Sequence, residues 1–252
     1  MDAEPGQERH EPLHAGKLSV TLTTSAALGF DIPYKDIADA AGDDTTTSIF
    51  EALFHECVRL SEVVGTSAAM PTVITQVHVL QNLASRVQGA AGERLLILAG
   101  RYAEYAGWLA QEAGDNRAAL WWTNLSAGFA ERAGSIDLAT YACARRAEIA
   151  FYQEDALKSV TLARQAQQNS RVLPRIRGFA ALREAQGLAL VGNYAECRQA
   201  LDRAAAALDA DDSSQVGGLP LPPFGSSAPG GVTGWCLHDL GRARGSDDGA
   251  RP

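Results

Sequence analysis

Residues 106–115 have the sequence AGWLAQEAGD, a run of small and apolar residues that ends in a turn. Two later stretches, at 147–159 and 185–197, repeat this order imperfectly and continue into further small residues. The turn positions of the three stretches are almost evenly spaced along the chain: Asp115, Asp155 and Asn193. Recurrence at such an interval is typical of stacked helical hairpins, in which no unit buries its apolar face alone.

Small residues keep their relative positions in all three stretches. In the first helix of each hairpin they are Gly107, Ala147 and Ala185, and early in the second they are Ala119, Ser159 and Cys197. Small side chains let two helices approach closely. A non-repeating, alanine-rich helical bundle is the alternative. Because the turn and both small positions recur three times, we favour repeats and predict an all-α fold.

The pattern before residue 106 predicts one more helical pair. From Ser48 the apolar residues follow a period near 3.6, which indicates an amphipathic helix. Its stripe comprises Ile49, Ala52, Leu53, Cys57, Leu60 and Val64. A second stripe comprises Ile74, Val77, Leu80, Leu83, Ala84 and Val87.

The flanks have a different composition. Residues 1–47 are acidic and mostly predicted to be disordered, with one candidate strand at 17–24. Residues 48–208 form the predicted helical domain. Residues 209–252 contain a Gly/Pro-rich loop, a short predicted helix at 232–242 and a predicted disordered tail.

The net charge of −8 over 252 residues belongs to these flanks. Residues 1–47 contribute −6, residues 48–208 contribute +1 and residues 209–252 contribute −3. The predicted helical domain therefore does not repel anions. No run approaches the roughly 18 apolar residues of a membrane span, and no targeting segment is evident, so we expect a cytoplasmic protein without a membrane partner.

A longer run, AGRYAEYAGWLAQEAGD at 99–115, resembles the tetratricopeptide-like C-terminal region of actinobacterial transcriptional regulators whose N-terminal part is a Cro/repressor-type helix-turn-helix domain. The likeness extends over about residues 49–242. It includes Trp122-Thr123, Tyr141 with Arg145-Arg146, PRIR at 174–177, EAQG at 184–187 and TGWCLHDLG at 233–241. The resemblance implies a tetratricopeptide-like solenoid across 48–208 that serves as the sensing or interaction half of such a regulator.

The chain departs from that family at both ends. Residues 1–47 contain no helix-turn-helix pattern, so we do not expect direct DNA binding. In such regulators further repeats would follow the segment like 233–241, which suggests a truncated relative. A solenoid that ends on an exposed repeat needs a cap or a partner, and dimerisation is one hypothesis for it.

Catalytic and metal-binding motifs are not found in the sequence. HExxH, GxSxG, GxGxxG, Walker-type loops and CxxC pairs do not occur. His55 and Cys57 are two positions apart on a helix and so face different sides. We predict no catalytic residue, no metal and no cofactor. The rival hypothesis is an enzyme or accessory protein of a biosynthetic pathway, which would need a closed pocket around His55 or His78.

The resemblance implies that the first helix of each hairpin lines a concave groove. We expect this groove to bind a protein or peptide partner, or a small-molecule ligand. Aromatic residues at helical spacing are alternatively core residues. The predicted groove residues are Arg101, Glu104, Trp108, Gln111, Tyr141, Glu148, Tyr152 and Gln186.

A basic run at 156–183 contains no acidic residue. A solvated helix face is the interpretation we favour for this run. The functional alternative is contact with an anion, such as a nucleic acid backbone, a phosphorylated ligand or an acidic peptide. A third possibility is an acidic flank that folds back onto the run. The predicted anion patch comprises Lys158, Arg164, Arg171, Arg175, Arg177 and Arg183.

Overall fold

A computed structural model describes residues 44–210 and three later positions, Val232, Gly234 and Cys236. The predicted strand at 17–24 and the two predicted disordered ends lie outside the described residues. Residues 44–210 form eight α-helices and no strand, which confirms the all-α prediction. Within this part of the chain no helix is both long and apolar enough to span a membrane.

The helices follow one another with short connections. Each packs against the next, and α1 contacts α3, α3 contacts α5 and α5 contacts α7. The odd-numbered helices therefore form a continuous row, with the even-numbered helices packed against it. The bounds are Asp44–Val64 (α1), Thr66–Ala84 (α2), Gly89–Glu112 (α3), Asn116–Arg132 (α4), Ile136–Tyr152 (α5), Ala156–Gln167 (α6), Pro174–Leu190 (α7) and Tyr194–Asp209 (α8).

Four of the connections share one turn geometry. A residue with positive φ ends the helix, and the next residue caps the following helix by accepting a backbone N–H hydrogen bond of 2.8–3.4 Å. The positive-φ residues are Gly114, Gly134, Glu154 and Gly192. The capping residues are Asp115, Ser135, Asp155 and Asn193. The three predicted turn residues are confirmed as caps, and Ser135 is a fourth that lies between two of the recurring positions.

The predicted close approach of helices is present between α3 and α4. A Cβ atom at Gly107 would lie 3.2 Å from the Ala119 carbonyl oxygen and 3.3 Å from the Thr123 hydroxyl. Ala119, Ser159 and Cys197 are all fully buried. The small residues thus lie where the helices meet.

The predicted apolar stripe of α1 is wrong for most of its members. Cys57 is buried, but Ile49 and Val64 are 55% and 61% exposed. The buried face is formed by Phe54, Cys57 and Ser61, because the Phe54 ring packs edge-on against Tyr102, with ring centroids 5.0 Å apart. The helix also begins at Asp44, ahead of the start that the periodicity predicts.

The α7–α8 core includes residues from the C-terminal part of the chain. Val232 and Cys236 are helical and buried in one apolar cluster with Leu182, Cys197 and Ala200. The short helix predicted at 232–242 lies outside the described residues except for these two positions and Gly234.

Candidate functional site

A chain of ion pairs connects α3, α5 and α7. Arg145 Nε lies 2.8 Å from Glu104 Oε1, and Arg145 also pairs with Glu148 on its own helix. The second oxygen of Glu148 lies 3.2 Å from Arg183 Nη1. All four side chains are buried. We call this group, together with Gln111 and Gln186, the inner seam.

Amides and aromatic rings complete the inner seam. Arg145 donates from Nη2 to Gln111 Oε1 at 2.8 Å, and Arg183 donates from Nη1 to Gln186 Oε1 at 2.6 Å. The Arg183 guanidinium also lies 4.5 Å from the centre of the Phe179 ring, which is a favourable cation–π distance. Each buried arginine is therefore held by both an amide and a carboxylate.

An arginine followed three residues later by a carboxylate or an amide recurs at equivalent places on α5 and α7. Arg145 and Glu148 on α5 correspond to Arg183 and Gln186 on α7, one hairpin later. Residues three apart on a helix lie on one face, so each pair faces the adjacent helix. On α3 the equivalent residues are Tyr105 and Trp108, whose rings stack with centroids 5.7 Å apart.

Burial shifts the protonation equilibria of the inner seam. Burial, together with the nearby Arg145, lowers the pKa of Arg183 to about 10. Burial raises the pKa of Glu104, although the Arg145 and Arg101 charges and a hydrogen bond from Tyr141 oppose that shift. Arg101 also has its pKa lowered to about 10, chiefly by burial. Three guanidinium groups thus share two carboxylates in this region.

Arg183 retains unused hydrogen-bonding capacity. Its N–H groups on Nε and Nη2 are buried and meet no acceptor within the part of the chain that the structure describes. Buried donors normally have partners, so this side chain could satisfy a further acceptor.

Most of the predicted groove residues are buried or partly buried. Glu104, Tyr141, Glu148 and Gln186 are buried, while Arg101, Trp108 and Gln111 are partly buried. Tyr152 alone of the eight is about half exposed. The structure brings the charged members together, but as a packed seam instead of an open groove, because opposite charges pair across adjacent helices.

The sequence patterns do not reveal the roles of Arg145 and Arg183. In the sequence analysis, Arg145 occurs only as part of a motif that carries the family resemblance, and Arg183 is assigned to the predicted anion patch. The signal that could have found them is Arg-x-x-Glu at 145–148, which returns in the next hairpin as Arg-x-x-Gln at 183–186.

The predicted anion patch is not one surface. Arg183 is fully buried in the inner seam, so it cannot belong to an exposed patch. Arg164 is paired with two carboxylates, Glu184 and Glu196. Among the others, Lys158 and Arg171 are exposed, and Arg175 and Arg177 are partly buried.

A second cluster lies on the other face of α7. Glu184 accepts hydrogen bonds from Arg164 at 2.8 Å, from Gln167 at 2.8 Å and from Arg203 at 2.6 Å. We call these four residues the outer cluster. Burial would raise the pKa of Glu184, but the hydrogen bonds from these three donors outweigh it and lower the pKa. The cluster borders a shallow depression of about 350 Å³ that Gln168 also lines.

His55, Cys57 and His78 do not gather into a site, whereas Cys197 and Cys236 are both buried, and a hydrogen bond between their side chains lowers the pKa of the Cys197 thiol. His55 is exposed, and its Nδ1 lies 2.8 Å from the Glu51 carbonyl oxygen of the same helix. Cys57 is buried, and burial raises the pKa of its thiol. His78 is partly buried on α2. No group of three or more His, Cys, Asp or Glu residues in this part of the chain is arranged to hold a metal ion.

Comparison of the chain with protein-family models, curated proteins and solved structures found no match. The family resemblance therefore depends on the motifs quoted above, such as residues 99–115.

Proposed function

We propose that the chain is a tetratricopeptide-like solenoid that serves as a non-catalytic binding module of the transcriptional-regulator type. Its ligand, a protein, a peptide or a small molecule, binds along the faces of α3, α5 and α7. The observation that carries this proposal is the inner seam. Its ion pairs connect α3, α5 and α7, each the first helix of a hairpin, through Glu104, Arg145, Glu148 and Arg183.

The repeat arrangement is supported by local geometry. The four equivalent turns and the row of odd-numbered helices are what stacked hairpins produce. The correspondence of Arg145 and Glu148 with Arg183 and Gln186 places equivalent side chains on successive hairpins.

The inner seam offers a way for ligand binding to change helix packing. Arg183 has donors to spare, and Arg145 is shared between Glu104 and Glu148. Because these guanidinium groups are buried, a ligand carboxylate or carbonyl would engage them in an arrangement in which α5 and α7 have moved apart. It would shift the population toward that arrangement by its differential affinity.

The regulatory part of the proposal needs a second protein. Direct DNA binding is not expected, because the sequence shows no helix-turn-helix pattern. We propose that the module acts in the cytoplasm on a partner protein, and that a homodimer is one form of that interaction.

A photo-crosslinking experiment tests this function. A photoreactive amino acid replaces Trp108 or Tyr152 beside the inner seam, and Trp121 on α4 is the matched aromatic control, being 57% exposed. The proteins are irradiated in a lysate of the native host and the products are identified by mass spectrometry. The proposal predicts one shared product from positions 108 and 152 that position 121 does not give. Identical products at all three positions, or none, would contradict it.

A further inference from the structure

The helix α6 ends earlier than its counterparts. It has 12 residues, whereas α4 has 17 and α8 has 16, although all three begin at equivalent capped turns. After Gln168 the chain turns toward α5: Val172 is buried beside Tyr141, and the Leu173 N–H donates to Asp137 Oδ1 at 3.0 Å. Beyond this end of α6, the Arg177 side chain of α7 is only partly buried.

A slot lies beyond the end of α6, with a volume of about 460 Å³. We call it the end slot. It joins the depression beside Glu184, since Gln167 and Arg203 line both. The residues that form it include Gln167 of α6, Arg177 and Ala181 of α7, and Arg203, Ala206 and Ala207 of α8.

The end slot and the inner seam lie on different faces of α7. Arg177, Ala181 and Glu184 are spaced by four and three positions and so share one face. Arg183 and Gln186 share the face toward α5. A molecule in the end slot would therefore not touch the inner seam.

The chemistry of the end slot favours an acidic helix. Three arginines, Arg164, Arg177 and Arg203, line the two depressions. Glu184 pairs with Arg164 and Arg203, and Glu196 also pairs with Arg164, so the group keeps an excess of one positive charge. Arg177 Nε is buried and meets no acceptor in the described chain. The alanines present little side-chain volume, so the backbone of a docked helix can approach closely, as in helix-in-groove recognition.

We propose that the end slot binds an acidic, amphipathic helical segment of a partner protein. Its carboxylates contact Arg177 and Arg203, and its apolar side faces Ala181, Ala206 and Ala207. This surface is separate from the one in the proposed function, and either can fail without the other.

The test is a selection of helical peptides from a random phage-displayed library on the intact protein. The enriched peptides are synthesised with a fluorophore, and their Kd values are measured by anisotropy. Acidic peptides are expected. Ala206→Trp fills the slot and should weaken binding about tenfold or more, equivalent to about 1.4 kcal/mol. The matched control is Ala205→Trp, because Ala205 precedes Ala206, is exposed and does not line the slot. It should leave Kd within about twofold.

A charge reversal provides a second arm if Ala206→Trp does not fold. Arg177→Glu should weaken the same peptides about tenfold or more, the order of a lost charge-assisted hydrogen bond, while Arg198→Glu at an exposed position of α8 should not. Failure to enrich acidic peptides would overturn the proposal. So would equal effects of the slot and control variants, or binding that Trp108→Ala abolishes and the slot variants do not.

Discussion

The inner seam and the outer cluster use the same chemical groups on two faces of α7, but they differ in burial. In the seam the side chains of Arg145 and Arg183 are 2% and 0% exposed, whereas in the outer cluster those of Arg164 and Arg203 are 50% and 48% exposed. Accordingly, the pKa of Glu104 is raised and that of Glu184 is lowered.

The comparison shows what burial of the arginine does to an ion pair. A guanidinium that keeps contact with water loses less hydration when it pairs, so its carboxylate partner gains from the charge. When both partners are buried, the desolvation cost approaches the attraction. The inner seam therefore contributes defined geometry between α3, α5 and α7 more than net stability, and removal of one member leaves an uncompensated buried charge.

The largest expected effect is that of Arg145→Ala. It leaves Glu104 and Glu148 buried without their shared partner, which should cost about 3–5 kcal/mol of unfolding free energy. Urea denaturation followed by circular dichroism measures this. Arg146→Ala is the control on the same helix, because Arg146 donates to Asn124 in an exposed contact; its loss should be below about 1 kcal/mol. Equal losses of unfolding free energy in the two variants would show that the buried Arg145 contacts and the exposed Arg146 contact do not differ.

A smaller effect is expected for Glu184→Gln, about 1–2 kcal/mol at neutral pH. The variant removes the carboxylate charge that pairs with Arg164 and Arg203, and the amide nitrogen that replaces one oxygen cannot accept a hydrogen bond. The folded-state pKa of Glu184 is below its unfolded value, so its charge stabilises the fold above the ordinary glutamate pKa of about 4.3. This stabilisation disappears as the pH falls through the folded pKa. Denaturation at several pH values should show the difference between wild type and variant shrinking below about pH 4. A difference that grows on acidification would contradict the assignment.

The smallest expected effect is that of Arg164→Ala. Arg203 and Gln167 still donate to Glu184 in this variant, and Arg164 is half exposed. The loss of unfolding free energy should be about 1 kcal/mol or less. Thermal denaturation beside Arg145→Ala measures it, and a loss as large as that of Arg145→Ala would show that exposure does not separate the two clusters.

Local chemistry makes some features predictable from the sequence. Asp115, Asp155 and Asn193 are recognisable because a capping side chain and its turn are encoded within a few adjacent residues. The close approach at Gly107 follows from residue size alone. The helical class follows from periodicity.

Features that depend on contacts between distant residues are not predictable in the same way. The orientation of α1 is decided by Phe54 packing on Tyr102 of α3, a contact between helices that the apolar periodicity does not specify. The pairing of Glu104 with Arg145 depends on how α3 meets α5. For this reason, charged residues that the sequence assigns to an exposed groove are buried and paired with each other in the structure.

The central claim is that the inner seam is one network that joins α3 to α7 through α5. A double-mutant cycle between Glu104→Gln and Arg183→Met tests it most directly, because these residues are linked through Arg145 and Glu148. If the seam is one network, the coupling free energy is about 0.5 kcal/mol or more, and the control cycle of Glu104→Gln with Glu184→Gln is nearly additive. Additivity of Glu104→Gln and Arg183→Met within about 0.3 kcal/mol would contradict it.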